Sequence, residues 1–325
     1  MASFLVGVLM GGPSAEHEIS LASGRSIAVA LGHSSHCVRP IIVAKDGAWM
    51  VFGKRLASGS ALAGLDAVIN ALHGEWGEDG QVQLLLQAHG VPYTGSGPFA
   101  SALAMDKWIS RTIFKEHGLA TPQSVLVTNY PGEHSFENAS HILVKLPQGP
   151  WVVKPVSRGS SVGVSVVDEV SMLPSAFDHV FEFQDKALVE EYLSGMEVSC
   201  GVLEDNQGVP HALPVSEIIP QKNRYRFFDY DAKYSGETEE ITPARIPSLL
   251  ALKVQDAALK AYFAIGCRHY ARVDMVIVEN VPMVLELNTL PGLTPESILP
   301  KQVEAIGLSF ISFLEHLLER TVRRT

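Results

Sequence analysis

The chain has 325 residues, 46% of them hydrophobic and 18% charged, with a net charge of −10. That length suits two or three packed domains, and the composition excludes a disordered or fibrous chain. The acid excess argues against a nucleic-acid partner, which calls for a basic surface, but a local cluster can still bind a small anion.

The first apolar run, Ser3 to Met10, ends at Gly11-Gly12-Pro13 and predicts a buried strand meeting a tight turn. It has no basic segment ahead of it and no small-residue cleavage site behind it, so it does not read as a signal peptide. No run reaches the ~18 apolar residues of a spanning helix. Cys37, Cys200 and Cys267 are scattered and lack metal spacing. The expectation is a cytoplasmic protein with small buried thiols and no membrane partner.

Ser20 is expected to cap a helix over 21–32, stopped by Gly32. Strands over 37–43 and 67–72 follow, the second ending at His73-Gly74, and a helix over 81–89 closes at Gly90. Strands alternating with helices predict a parallel, two-sided α/β sheet in this part of the chain. Beyond the bridge at 94–98, a helix is expected from Phe99 to His117, then strand–loop–strand units over 150–167 and 187–202. Gln221 to Arg245 is polar and ring-bearing with no sustained period. Loops of that length are uncommon in compact domains and often act as lids. A helix over 251–266, a hairpin over 271–288 and an amphipathic helix over 305–323 complete the reading.

The strongest local signal is Asp274 followed by Glu286 and Asn288, all on apolar strands. Glu286 and Asn288 are two apart and share a face. If Asp274 pairs across from Glu286, three oxygen ligands converge, with Glu279, Asn280 and Val281 as a three-residue loop. Such hard donors suit magnesium when phosphates and water complete its shell. The plainer alternative is a solvated face with an Arg272–Asp274 pair. Next, Lys154 leads into a Gly/Ser loop, Gly159-Ser160-Ser161, whose N–H groups and hydroxyls can meet phosphates, or which is simply a hairpin turn. Glu190, Tyr192, Leu193 and Glu197 fall near a strand end, suited to a ribose and an adenine edge or to an exposed acidic hairpin. Lys107 opens a helix within phosphate reach, unless it is only solvated. The stretches around Glu16 and His73 both follow strands, at the ends where open α/β sheets bind ligands.

The order of these signals resembles the ATP-grasp superfamily, and within it the D-alanine–D-alanine ligase family along nearly the whole chain. The match rests on 11–24, 73–83, 92–97, 101–107, 152–164, 227–234, 271–274 and 286–300. The chain departs from the family pattern mildly, at Leu287, at Leu290 and at Arg158, where an acidic residue is commoner. The resemblance implies an α/β fold, α+β in its C-terminal part: an N-terminal Rossmann-like substrate domain over 1–97, a central subdomain over 98–189, and a catalytic domain over 190–325 with a flexible loop at 223–245.

It implies ATP and two magnesium ions, which manganese can replace, with Asp274, Glu286 and Asn288 as metal ligands. Lys107, Lys154, Ser160, Ser161 and Lys233 would contact phosphates; Glu190, Tyr192 and Leu193 would border adenine, and Glu197 the ribose. Glu16, Ser160 and Tyr234 would join the loop to the N-terminal domain, with His73 on the same substrate side. Arg272 and the Gly292 backbone would face the acyl centre, and Ser297 and Ile298 the second amino acid. The implied activity is ATP-dependent joining of two D-alanines for peptidoglycan precursors, or a sibling activity with D-lactate or D-serine as acceptor; Tyr234 favours D-alanine. A homodimer is the implied assembly.

Overall fold

The computed structural model describes residues 3–129, 142–159, 163–220 and 238–323. β1 (Leu5–Gly11) runs parallel to β2 (Cys37–Val43). β3 (Trp49–Val51) and β4 (Lys54–Leu56) add antiparallel at the β2 edge, and β5 (Ala67–Asn70) lies parallel on the other side of β1. The expected parallel sheet is therefore mixed. Its antiparallel edge strands span three residues each, too few for alternation to show.

Both faces are covered, as predicted. Val6, Val8 and Met10 pack against Leu21, Ile27 and Leu31 of α1 (His17–Gly32). Leu9, Ile41 and Val43 pack against α2 (Ser58–Leu62) and α3 (Gln81–Ala88) on the other side. Ser20 does not cap α1; the helix begins three residues earlier. The Ser20 hydroxyl donates to the Ala71 carbonyl and accepts from the Gly11 N–H, which ties α1 to β1 and to the end of β5.

The helix expected over 99–117 is two, α4 (Pro98–Met105) and α5 (Lys107–Glu116). Asp106 separates them because its carboxylate accepts from the N–H groups of Trp108 and Ile109, a cap that starts α5 afresh. A second sheet, all antiparallel, has the order β6 (Ser124–Thr128), β9 (Lys186–Glu191), β7 (Trp151–Pro155), β8 (Ser165–Val167), with α6 (Leu173–Phe181) against it.

The third sheet contains β10 (Met196–Glu204), β11 (Pro210–Ala212), β12 (Ser216–Pro220), β13 (Thr238–Ile241), β14 (Tyr270–Val278) and β15 (Val281–Asn288). Its order is β13-β12-β10-β14-β15, with β11 on β10. One face packs Val198, Val273 and Leu287 against Val254 and Ala258 of α7 (Ser248–Ile265) and Phe114 of α5. The other face opens on the cleft described below. Of the stretch expected as a loop, 238–241 is strand β13, and 221–237 lie outside the described residues.

The terminal helix expected over 305–323 begins later, as α9 (Phe310–Arg323); a short helix that the sequence reading lacked, α8 (Ile298–Glu304), precedes it, and the two are parted at Gly307, where φ is 87°. Phe313, Leu314 and Leu317 of α9 join the core of the first sheet. Cys200 and Cys267 are thiols that burial pushes up to about 12. Cys37 is exposed, against expectation, because the β2 edge begins at the surface.

Candidate active site

The hairpin of β14 and β15 places Asp274 opposite Glu286 and Arg272 opposite Asn288. The predicted pairing is present, but its turn is not the predicted one. Val278 pairs with Val281, so the turn has two residues, Glu279 and Asn280, at φ 49° and 63°. A bulge restores the register: the pairing shifts between Asp274 and Met275, and Leu285 is the extra residue. Its carbonyl accepts from the Arg111 guanidinium at 3.0 Å.

Asp274 is gripped on both oxygens by Arg272, at 2.9 and 2.7 Å, and Ser199 donates to Oδ1 at 2.6 Å. Glu286 faces Lys107 at 3.4 Å, and Asn288 Oδ1 accepts from the Leu290 N–H. Three hard oxygen groups thus share one face of adjacent strands, and in type they suit magnesium. Among the described residues no three or more His, Cys, Asp or Glu side chains are grouped to hold a metal ion, so phosphate and water oxygens would have to complete the shell of one bound here. Arg272 must also loosen its hold on Asp274 for the carboxylate to serve as a ligand.

Across the cleft, β7 and β9 set Lys154 diagonal to Glu190 on one face, since Val152 pairs with Glu190. The two form a buried ion pair, and Arg111 joins Glu190 at 3.0 Å. Burial pushes the Glu190 carboxyl up, but Arg111 and Lys154 outweigh it and hold the group below the ordinary carboxylate range. For Lys154 burial dominates and lowers it from the usual lysine value, with Glu190 opposing. Lys107 lies at the start of α5, four residues before Arg111 and on its face. Its ammonium donates to the Arg158 carbonyl at 2.7 Å.

Tyr192 and Leu193 continue from β9 towards Glu197 near the start of β10. The Tyr192 N–H donates to the Pro150 carbonyl, which closes this hinge. The Glu190 carboxylate is committed inward to two cations, which leaves its backbone for any contact with an adenine edge.

On the first sheet, Gly11 and Gly12 turn the chain at φ 90° and 96°, a conformation that side chains disfavour. Glu16 follows, its carboxylate between Gly74 and Gly159. A Cβ on either would lie 2.6 or 3.3 Å from Glu16 Oε2. The His73 ring meets the Ser23 hydroxyl at 3.1 Å and Glu78 at 3.5 Å, while Glu78 accepts from the Gly74 N–H. At the far end, the Ser297 hydroxyl contacts Thr294 and leaves no room for a Cβ at Gly292, which would come within 2.8 Å. Buried Ile298 then opens α8.

Every described candidate site residue named from the sequence lines one cleft of about 980 Å³, between the second and third sheets and closed at one end by the first. Ser160, Ser161, Lys233 and Tyr234 lie outside the described residues. Sequence reasoning missed Arg111, Ser199 and Glu78. Spacing signalled the first, four residues from Lys107; motif membership signalled the last; a lone strand serine gives no signal.

The chain is similar along nearly its whole length to known proteins. Residues 113–319 match the family model for the D-ala D-ala ligase C-terminus, and residues 5–61 and 53–96 match that for the D-ala D-ala ligase N-terminus. A D-alanine–D-alanine ligase of Syntrophotalea carbinolica is 39% identical over 96% of this chain and 94% of its own. The VanG D-Ala:D-Ser ligase of Enterococcus faecalis superposes with a TM-score of 0.85 at 29% identity, covering 98% of this chain and 100% of that one. The Bacillus anthracis D-alanine–D-alanine ligase complexed with ATP superposes at 0.79 and 31% identity, covering 99% and 98%.

Proposed function

Because the chain belongs to the D-alanine–D-alanine ligase family, we propose that its cleft activates one D-alanine as an acyl phosphate and joins it to a second. The chain has the ATP-grasp fold and is an ATP-dependent ligase. The observation that carries the reading is the convergence in one cleft of Lys107, Lys154 and Arg272 with the oxygen donors Asp274, Glu286 and Asn288.

A carboxylate does not acylate an amine at neutral pH, so it must first become a better electrophile. The donor carboxylate oxygen takes the γ-phosphoryl group, the bond from γ-phosphorus to the bridging oxygen breaks, and ADP leaves. The amine of the second D-alanine then attacks the acyl carbon, loses a proton, and inorganic phosphate departs with the C–O bond. Lys107 and Lys154 neutralise phosphate charge, the main task in phosphoryl transfer. Arg272 and the Gly292 N–H stabilise charge on the tetrahedral adduct. Glu16 and His73 hold the donor, Ser297 and Ile298 the acceptor; Tyr192 and Leu193 border adenine, and Glu197 takes the ribose hydroxyls. Asp274, Glu286 and Asn288 would hold two magnesium ions, or manganese, which neutralise phosphate charge when bound.

The three free cysteines fit a cytoplasmic enzyme, and no described helix is long and apolar enough to cross a membrane. The family resemblance further suggests a homodimer. Incubation with ATP, magnesium and each alanine enantiomer, with products identified by mass and chirality, tests the reading: D-alanyl-D-alanine, ADP and phosphate in equal amounts are expected. Adding D-serine or D-lactate in competition tests the acceptor that the likeness to a D-Ala:D-Ser ligase raises. Absence of dipeptide with every acceptor would sink it.

A further inference from the structure

We propose that Arg158 is a positioning residue for the ligation, and that its ion pair with Glu75 fastens the chain just after β7 to the donor-side turn. This deepens the ligase reading and rests on it.

Arg158 follows β7 and immediately precedes Gly159. Its guanidinium lies 3.4 Å from the Glu75 carboxylate, in the turn that also carries His73 and Glu78. The same guanidinium lies over the Phe183 ring, 5.0 Å from its centroid, and Phe183 follows α6 on the second sheet. The carbonyl of Arg158 accepts from the Lys107 ammonium at 2.7 Å. One residue therefore touches the first sheet's ligand turn, the second sheet's periphery and the lysine that opens α5.

The geometry around it gives the contact a purpose. Gly159 packs against Glu16, so a shift of Arg158 and Gly159 changes both the donor corner and the seat of Lys107. The Arg158 side chain is 26% exposed and that of Glu75 56%, so the pair is screened and worth a few-fold in an equilibrium rather than orders of magnitude. Held in place, the Arg158 carbonyl keeps the Lys107 ammonium aimed.

The test is a double-mutant cycle on the full-length enzyme with Arg158→Gln, Glu75→Gln and both together. Each single change should raise KM for ATP by about threefold and leave kcat within about twofold. The double variant should be no worse than either single one, and the gap to wild type should shrink at high salt. Arg158→Lys, which keeps the charge, should recover most of the loss. Effects that multiply in the double variant, or singles that leave KM for ATP unchanged, would overturn the proposal. Failure of the wild type to make dipeptide would instead sink the ligase reading, a result that the cycle keeps separate.

Discussion

Two carboxylates on opposite walls of the cleft show how burial divides labour between like groups. Glu190 is fully enclosed and holds Lys154 and Arg111. Glu286 has a side chain 29% exposed and one lysine at 3.4 Å, and neighbouring Asp274 shares its charge with Arg272. A carboxylate in water can exchange its cation for a ligand at small cost, whereas an enclosed one cannot lose its partners without leaving bare charge behind. Glu190 is thus an internal counter-ion that aims a lysine, and the strand pair is the exchangeable end of the site.

The contrast can be broken most directly at Glu190. Glu190→Ala strands two buried cations and should cost about 3–5 kcal/mol of stability in urea denaturation, taking activity with it. The sign of its pH dependence follows from the depressed carboxyl. Its contribution is complete above the ordinary carboxylate range and is lost as pH falls through the lower folded value. The stability gap between wild type and Glu190→Gln should therefore narrow in acid; a gap that widens would mean that Glu190 is not the counter-ion.

Asp274→Ala should do the reverse, lowering turnover by about 10²–10³-fold or more while the unfolding midpoint moves little. Undiminished ADP release with D-alanine would refute the ligand assignment. Ser199→Ala sharpens the comparison within the exchangeable end, since its hydroxyl orients Asp274. About a tenfold rise in the magnesium concentration for half-maximal turnover is expected, with stability lower by about 1 kcal/mol. The smallest effect belongs to the tip of the same hairpin. Glu279 sits at φ 49°, so Glu279→Asn should stabilise by a few tenths of a kcal/mol and leave kcat unchanged. A changed kcat would show that tip and site are not independent.

The pairing of Asp274 with Glu286 was legible because two-residue alternation carries through a strand. Its route was not: the short turn and the bulge at Leu285 cancel one another, and a count along the chain sees only their sum. The break at Asp106 was hidden because apolar spacing continues across it, and only the carboxylate's choice of Trp108 and Ile109 as partners divides the helix. Ser20 misled for the opposite reason, as a residue type that favours caps was drawn inside by the Gly11 and Ala71 backbone. Arg111 was passed over because an arginine on a helix usually reads as solvated, and only the fold encloses it.

The return of α9 to the first sheet has a consequence for how the protein is made. Val6, Val8 and Ile69 leave the ribosome well before Phe313, Leu314 and Leu317, which pack with them. One flank of the first sheet therefore stays wet until α9 is made, a greasy surface that chaperones would recognise in the interval.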